Sequence, residues 1–523
     1  VIKGKTGGYG FVRTRVVVVG AGVGGLSAAL ALAAKGIDVL VLERQPAVGG
    51  KMRRVMVDGA GIDGGPTVFT MRWVFDELFA EAGLDFSCLI PHRPAGLLAR
   101  HAWTNGARLD LHVDPERCFD DIKAFSGAAE AERWRGFMAH ARRIYDTLET
   151  PFLRGDKPNP VSLTARVGFG KVPALLDLKP FSTLWQALGA HLKDPRLKQL
   201  YGRYATYCGS SPFAATATLM LVAHVEQEGV WYVDGGMHEL ALGLARAAEK
   251  AGAEIRTSTE VSEIISGPGG VLGVRLLDGR FEHASDVIVN ADANAVASGL
   301  FGEEIASAVS ATPPAARSLS ALVWTAYGSP HGFPLVRHNV LFSNDYADEF
   351  QKIFVKRKLP HEPTVYVCAQ GRGDAAPETV PDREPLLVLV NAPATGDGPG
   401  LSLLEIEQCR ERTEELMAAH GLTLSLKAPQ AILTGPEEFH RLFPATGGAL
   451  YGRASHGWMA SFQRQGGRTK VPGLYLAGGS VHPGPGVPMA ALSGRIAARS
   501  VLSARPLTSQ SRQAVTSGGT STA

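Results

Sequence analysis

The chain has 523 residues, more than one hydrophobic core usually holds, so at least two domains are expected. Its 53 Lys and Arg against 50 Asp and Glu leave a formal charge of +3, which excludes the basic footprint of a nucleic-acid binder. Charged residues make up only 20% of the chain, and Cys88, Cys118, Cys208, Cys368 and Cys409 show no CxxC spacing; a large core or a lipid-facing surface is indicated, without a metal site or a disulfide framework.

The first dozen residues, VIKGKTGGYGFV, carry no periodicity. From Val16 to Glu43 the sequence VVVVGAGVGGLSAALALAAKGIDVLVLE then contains a complete dinucleotide-binding unit. Four valines predict a buried strand. Gly20, Gly22 and Gly25 follow at GxGxxG spacing: the first makes a tight turn, the second lets backbone approach a pyrophosphate, and the third allows close packing of helix on strand. The helix amides would face the phosphates. Gly36 ends the helix, and a strand over 38–42 delivers Glu43, whose carboxylate would accept the hydroxyls of an adenosine ribose. The uncharged span 16–34 also has the length of a membrane helix or signal sequence, but its clustered glycines would cost such a helix about 1 kcal/mol each. In the next stretch, ERQPAVGGKMRR, Gly49 and Gly50 let the chain fold back beside the pyrophosphate, and Lys51, Arg53 and Arg54 supply positive charge.

Farther along, KPFSTLWQALGAHLKDPRLKQLY sets Phe181, Leu184, Trp185, Leu188 and Leu192 at helical spacing, flanked by Lys179, Lys193, Arg196 and Lys198. Such a face fits either a core-packed helix or a bilayer interface. A helix is predicted from Gly236 to Gly252 with Leu240, Leu244 and Ala248 on one face, followed by short strands at Gly-Pro-Gly-Gly and Asp-Gly turns and a buried strand closing at Asn290–Asp292. A third piece, GLYLAGGSVHPGPGVPMAALSGR, reads as a strand over 474–477, Gly478-Gly479, a Pro/Gly turn, and a helix starting near Val487, Pro488 and Met489. The Ser/Thr/Gly-rich segment from Pro506 to the end is expected to be disordered.

The Gly-Gly-basic turn after the ribose acid resembles the flavoprotein superfamily of amine oxidases and carotenoid desaturases. The block 478–488 is similar to the C-terminal signature of the bacterial carotenoid (phytoene-type) desaturases, DGGPTVFTM (63–71) to their Gly-Pro-Thr turn, and RYATYCGSSPFAATATLMLVAHVEQEGVWYVDGGMHELA (203–241) to their central signature. These blocks run in the family's order along nearly the whole chain. Cys208 after ATY, MLVAHVEQ, VDGGMHEL and GGSVHPGPGVPMAALSGR most resemble the hydroxyneurosporene and methoxyneurosporene desaturases of purple bacteria.

That resemblance implies an α/β fold: a Rossmann-like FAD-binding domain, an α+β substrate domain and a helical membrane-facing region. The implied division is 14–68, 225–300 and 431–505 for FAD, 69–224 for a substrate and membrane-facing region, 301–430 for a substrate sheet, and 506–523 for the tail. It also implies FAD with Lys51 near the phosphates, Val261 near the adenine, and the helix start at Val487–Met489 aimed at the flavin ring. His482 falls beside the flavin, either to handle a proton or to hold the turn through backbone hydrogen bonds. The implied reaction inserts the 3,4 double bond into 1-hydroxy or 1-methoxy acyclic carotenoids, passing electrons on to an acceptor such as oxygen or a quinone. The enzyme is then expected at the cytoplasmic face of the bacterial inner membrane, held peripherally, with no signal peptide or transmembrane helix. Phytoene desaturase, an FAD amine oxidase, and a prenyl-binding non-enzyme on the same fold are the alternatives.

Overall fold

The computed structural model describes residues 15–168, 172–374 and 382–505; the unpatterned N-terminus and the segment from Pro506 lie outside the described residues. Val16–Val19 has no polar side chain to offer solvent and accordingly occupies the middle of a sheet, parallel to Val39–Leu42 on one side and to Asp286–Val289 on the other. From edge to edge the strands are Leu474–Leu476, Asp286–Val289, Val16–Val19, Val39–Leu42 and Glu254–Arg256, all parallel. Three distant stretches therefore build one doubly wound sheet. Its strand order reverses between Val16–Val19 and Asp286–Val289, where such sheets open a crevice for ligand at their carboxyl ends.

The fingerprint helix Val23–Ala33 and the helix Met237–Lys250 cover one face of this sheet. As their spacing predicts, Leu240, Leu244 and Ala248 are fully buried. The C-terminal helix Val487–Ala504 crosses Val23–Ala33 with almost no side-chain layer between them: a Cβ at Gly494 would lie 2.1 Å from the Gly24 carbonyl oxygen.

A second, seven-stranded sheet runs in the order Ala431–Thr434, Ser320–Gly328, Glu384–Ala392, Val365–Ala369, His338–Leu341, Leu97–Ala102, Arg108–His112. Every neighbouring pair is antiparallel except His338–Leu341 with Leu97–Ala102. It thus reaches past 301–430 at both edges, because pairing between strands a hundred or more residues apart leaves no local sequence pattern.

The expected continuous helix from Phe181 to Leu192 is not formed. Thr183 makes a capping box with Gln186 and starts the helix only at Leu184, leaving Phe181 before it and 78% exposed. Leu184, Leu188 and Leu192 are buried against Phe137, Ala141 and Leu197, and Trp185 packs on Phe213 at 4.7 Å with Lys198 over its ring. Leu184, Leu188 and Leu192 of this face therefore belong to the core, and Phe181 alone of its leucines and aromatics stays largely exposed.

The helix crossing at Gly494 is a point where one methyl group decides stability. Gly494→Ala must push a packed helix off a backbone carbonyl, and an overpacking cost of about 1–3 kcal/mol or more is expected. Urea unfolding of the flavin-loaded protein measures it; an unchanged midpoint would show that the two helices separate without cost.

Candidate active site

The glycine fingerprint places backbone where side chains cannot go. Gly20 has φ +98°, and a Cβ there would lie 2.7 Å from the Asn290 carbonyl oxygen; at Gly25 it would lie 2.2 Å from the Gly20 carbonyl oxygen. Gly22 caps the fingerprint helix without a side-chain hydrogen bond, so the first-turn amides stay open to a ligand. Gly49 donates its N–H to Ala21 O at 2.8 Å, and a Cβ at Gly50 would approach the Gly22 Cα to 3.3 Å, so the Gly-Gly turn folds back over the helix start.

Glu43 follows the second strand and is held by two amides: Ala21 N–H donates to one carboxylate oxygen at 2.8 Å and Gln45 N–H to the other at 2.9 Å. Each oxygen keeps a lone pair for a further donor. Thr259, Glu260 and buried Val261 stand at the same end of the site, with Thr259 N–H bonded to Glu43 O. An uncapped helix start beside a fixed carboxylate matches the pyrophosphate and ribose of a dinucleotide, and the residues present fit FAD.

These groups line one cavity of about 1130 Å³, above the ~300–1,000 Å³ of common small-molecule sites. Gly20, Gly22, Glu43, Gly49, Gly50, Lys51, Arg53, Val261, Gly478, Gly479, Val487, Pro488 and Met489 all border it. Gly25 does not, being occupied in helix packing. The Lys51 ammonium donates to Leu450 O at 2.5 Å, and burial lowers its pKa against the pull of Asp292. Arg53 donates to Thr434 Oγ1 at 2.7 Å. Beyond the second glycine pair the walls turn apolar, with Phe152, Leu163, Leu178, Leu219, Val222, Leu387, Leu389, Phe439 and Phe462.

His482 is not on this wall. It is 1% exposed, and its Nε2–H donates to Phe152 O at 2.9 Å and Gly155 O at 3.1 Å while Phe152 packs edge-on against the ring at 4.8 Å. Burial pushes its pKa down to about 4, so the imidazole is neutral at pH 7. Of the two roles open to it, these contacts favour the turn-holding one: Nε2 is committed to backbone carbonyls, and the ring is not among the residues that border the cavity.

Sequence reasoning also missed residues that shape the site. Asn290, at the end of its strand, stands against Gly20, Gly22, Gly24 and Gly478 and donates to Ala477 O at 3.0 Å. Buried Arg464 clamps the carbonyls of Tyr451, Gly479 and Arg453. Within the apolar part stand Arg203, Tyr207, Glu226 and Tyr366, the first three inside the central block 203–241. Charged residues in so apolar a stretch were the available signal.

The sequence model of the flavin-containing amine oxidoreductases matches residues 23–502. The chain belongs to that family. The cofactor is FAD and the enzyme an oxidoreductase, as the fingerprint and the Gly-Gly-basic turn anticipated. Among curated relatives, hydroxyneurosporene desaturase of Rubrivivax gelatinosus is 51% identical over 97% of this chain and 97% of its own length. Hydroxyneurosporene desaturase of Cereibacter sphaeroides is 41% identical over 95% of this chain and 99% of its own. The resemblance to bacterial carotenoid desaturases is thereby borne out. The fold is that of solved flavoproteins such as putrescine oxidase, with a TM-score of 0.58 at 17% identity, covering 94% of this chain and 99% of that one.

His482→Ala takes the donor from two partly buried carbonyls and is expected to cost about 1–3 kcal/mol of stability, with kcat of the FAD-loaded protein kept within about tenfold. Because the folded pKa of about 4 lies below the ordinary 6.5, the stability His482 contributes is present above pH 6.5 and is lost as pH falls through 4. Urea midpoints and single-turnover flavin reduction from pH 5 to 8 check both; a hundredfold fall in kcat at unchanged stability would restore the proton-handling role.

Proposed function

We propose that this enzyme is a carotenoid desaturase that inserts the 3,4 double bond into 1-hydroxy or 1-methoxy acyclic carotenoids such as 1-hydroxyneurosporene. The observation that carries the reading is the single cavity that runs from the Glu43 cradle into an apolar chamber, in a chain 51% identical to a hydroxyneurosporene desaturase. Desaturation takes two hydrogens from adjacent carbons, and FAD, when bound, accepts one as an allylic hydride. The polyene spreads the resulting positive charge, so the second hydrogen leaves as a proton to a weak base or a carboxylate of the wall, and no strong base is demanded of the protein. What the chain supplies is position and dryness: Leu219, Val222, Leu387 and Leu389 hold an apolar chain and exclude water. The uncapped start of Val487–Ala504, bordering the cavity, favours negative charge nearby.

An amine substrate suits this chamber poorly. Glu226 is the carboxylate available in the apolar part, yet it already accepts from Tyr204 and from Tyr207, and the Arg203 guanidinium beside them repels a cation. A carotenoid lacks both objections. Presented with phytoene, neurosporene and 1-hydroxyneurosporene in liposomes, the purified enzyme is expected to convert the last to a 3,4-desaturated product and to leave phytoene almost untouched. Efficient phytoene conversion with the hydroxylated carotenoid unused would assign phytoene desaturase instead.

The substrate lives in lipid, and the cavity has an apolar rim. Phe181 and Trp458 border it, stand 5.6 Å apart ring to ring, and are 78% and 49% exposed; Val161 and Leu176, 79% and 66% exposed, stand on helices whose Leu163 and Leu175 line it. Among the described residues no helix is long and apolar enough to cross a membrane. The proposed contact is therefore peripheral and lies at this rim, replacing the buried Leu184–Leu192 face. Replacing Val161, Leu176, Phe181 and Trp458 together with Ser is expected to release the protein from liposomes in a flotation assay while it stays flavin-loaded; undiminished flotation would remove the rim from the membrane contact.

A further inference from the structure

The apolar chamber contains a charge that the desaturation chemistry does not require. Arg203 lines the cavity, and among the described residues no carboxylate comes within ion-pairing distance of it. Its guanidinium instead lies over the rings of Tyr366 at 5.3 Å and Tyr207 at 5.7 Å. Burial works against this charge; the surrounding tyrosines and Glu349 outweigh it and hold the pKa above its usual value. Arginine carries five N–H donors; the Tyr207 hydroxyl takes one of them, and the half-buried side chain borders the cavity, where an acceptor on a ligand can meet the rest. Beside it Glu226 accepts from Tyr204 and, at 3.1 Å, from Tyr207, which leaves part of its carboxylate free toward the same space.

The cluster also sits where an end group must be read if the 3,4 bond is to react. The hydroxylated carbon is two carbon–carbon bonds from the nearer reacting carbon, so whatever reads the hydroxyl belongs beside the cofactor. Tyr366 fixes that position: its hydroxyl bonds Thr67 at 2.7 Å and His338 at 2.7 Å. Thr67 belongs to a turn that rides on the cofactor-binding turn, since a Cβ at Gly65 would lie 1.9 Å from the Lys51 carbonyl oxygen.

We propose that Arg203 and Glu226 together recognise the tertiary hydroxyl of the carotenoid end group, Arg203 donating to its oxygen and Glu226 accepting from its O–H, with Tyr207 bridging the pair. A hydroxyl offers one donor and two acceptor lone pairs, which this pair matches; a methoxy oxygen accepts from Arg203 but gives Glu226 nothing, and a hydrocarbon end leaves both unsatisfied. The proposal rests on the carotenoid-desaturase reading above and names what selects within it. The expected order of preference is hydroxy, then methoxy, then unsubstituted.

The test is competition. The full FAD-loaded chain receives liposomes with equimolar 1-hydroxyneurosporene and neurosporene, and in a second series 1-hydroxyneurosporene and its 1-methoxy relative; relative consumption gives the ratio of kcat/KM directly. Sites that hydrogen-bond a substrate hydroxyl discriminate by about 10²-fold or more against its absence, and Arg203→Met is expected to cut that ratio at least about tenfold. Glu226→Gln, whose amide can donate, is expected to narrow the hydroxy-to-methoxy gap specifically. A flavin-loaded Arg203→Met with the parental ratio overturns the proposal and leaves the desaturase reading intact. Should Arg203→Met lose its flavin, Tyr207→Phe, which removes one oxygen, must lower the ratio at least threefold, and an unchanged ratio overturns the proposal. A parent that ignores the hydroxylated carotenoid overturns the desaturase reading, and this inference with it.

Discussion

Where Val487–Ala504 crosses Val23–Ala33, a backbone carbonyl at Gly24 fills the place a side chain would take on Gly494. The crossing brings the carboxyl end of Val16–Val19, the start of the fingerprint helix and the Gly478-Gly479 turn within one side chain of one another. Asn290 is that side chain. Its carbonyl and amide groups stand against Gly20, Gly22, Gly24 and Gly478, so a residue from the middle of the chain ties together segments from both ends. The whole parallel sheet shares the constraint, because its five strands come from these same three stretches and align only if the helices meet backbone to backbone.

The cavity inherits its polarity from that arrangement. Amides and a carboxylate gather at the carboxyl ends of the parallel strands, where strand order reverses and helix starts point inward. The seven-stranded sheet and the helices packed on it supply apolar walls farther in. A nucleotide and a long hydrocarbon need opposite surroundings, and one cavity meets both by being bordered by two different sheets. The few polar groups that penetrate the apolar half are consequently expensive, and each is braced: Tyr366 by Thr67 and His338, Glu226 by Tyr204 and Tyr207, Arg203 by two aromatic faces.

His482 and the segment after Lys179 show how local sequence leaves two readings open in the same way twice. A histidine in a glycine-rich turn beside a cofactor looks like chemistry, yet its partners are carbonyls at Phe152 and Gly155, more than three hundred residues away in sequence. An apolar stripe with a tryptophan looks like a membrane face, yet the stripe is covered by the helix Ala128–Leu148 and its neighbours. Neither covering segment has any sequence relation to what it covers.

By itself the sequence determined the dinucleotide cradle, the parallel strands that carry it, the helix at 237–250 and the family, because each rests on short-range rules: β-branched runs, glycines at fixed spacing, a carboxylate one strand later, and apolar residues at helical period. Tertiary structure alone decided which strands complete the second sheet, that Asn290 is the hub of the cradle, that His482 bonds the carbonyls of Phe152 and Gly155, that Phe181 and Trp458 meet at the rim of the cavity, and that Arg203, Glu226 and Tyr366 converge inside the cavity. All of these are contacts between segments far apart in the chain. Their energies come from burial and from the satisfaction of polar groups, and neither is defined until the rest of the molecule has closed around them.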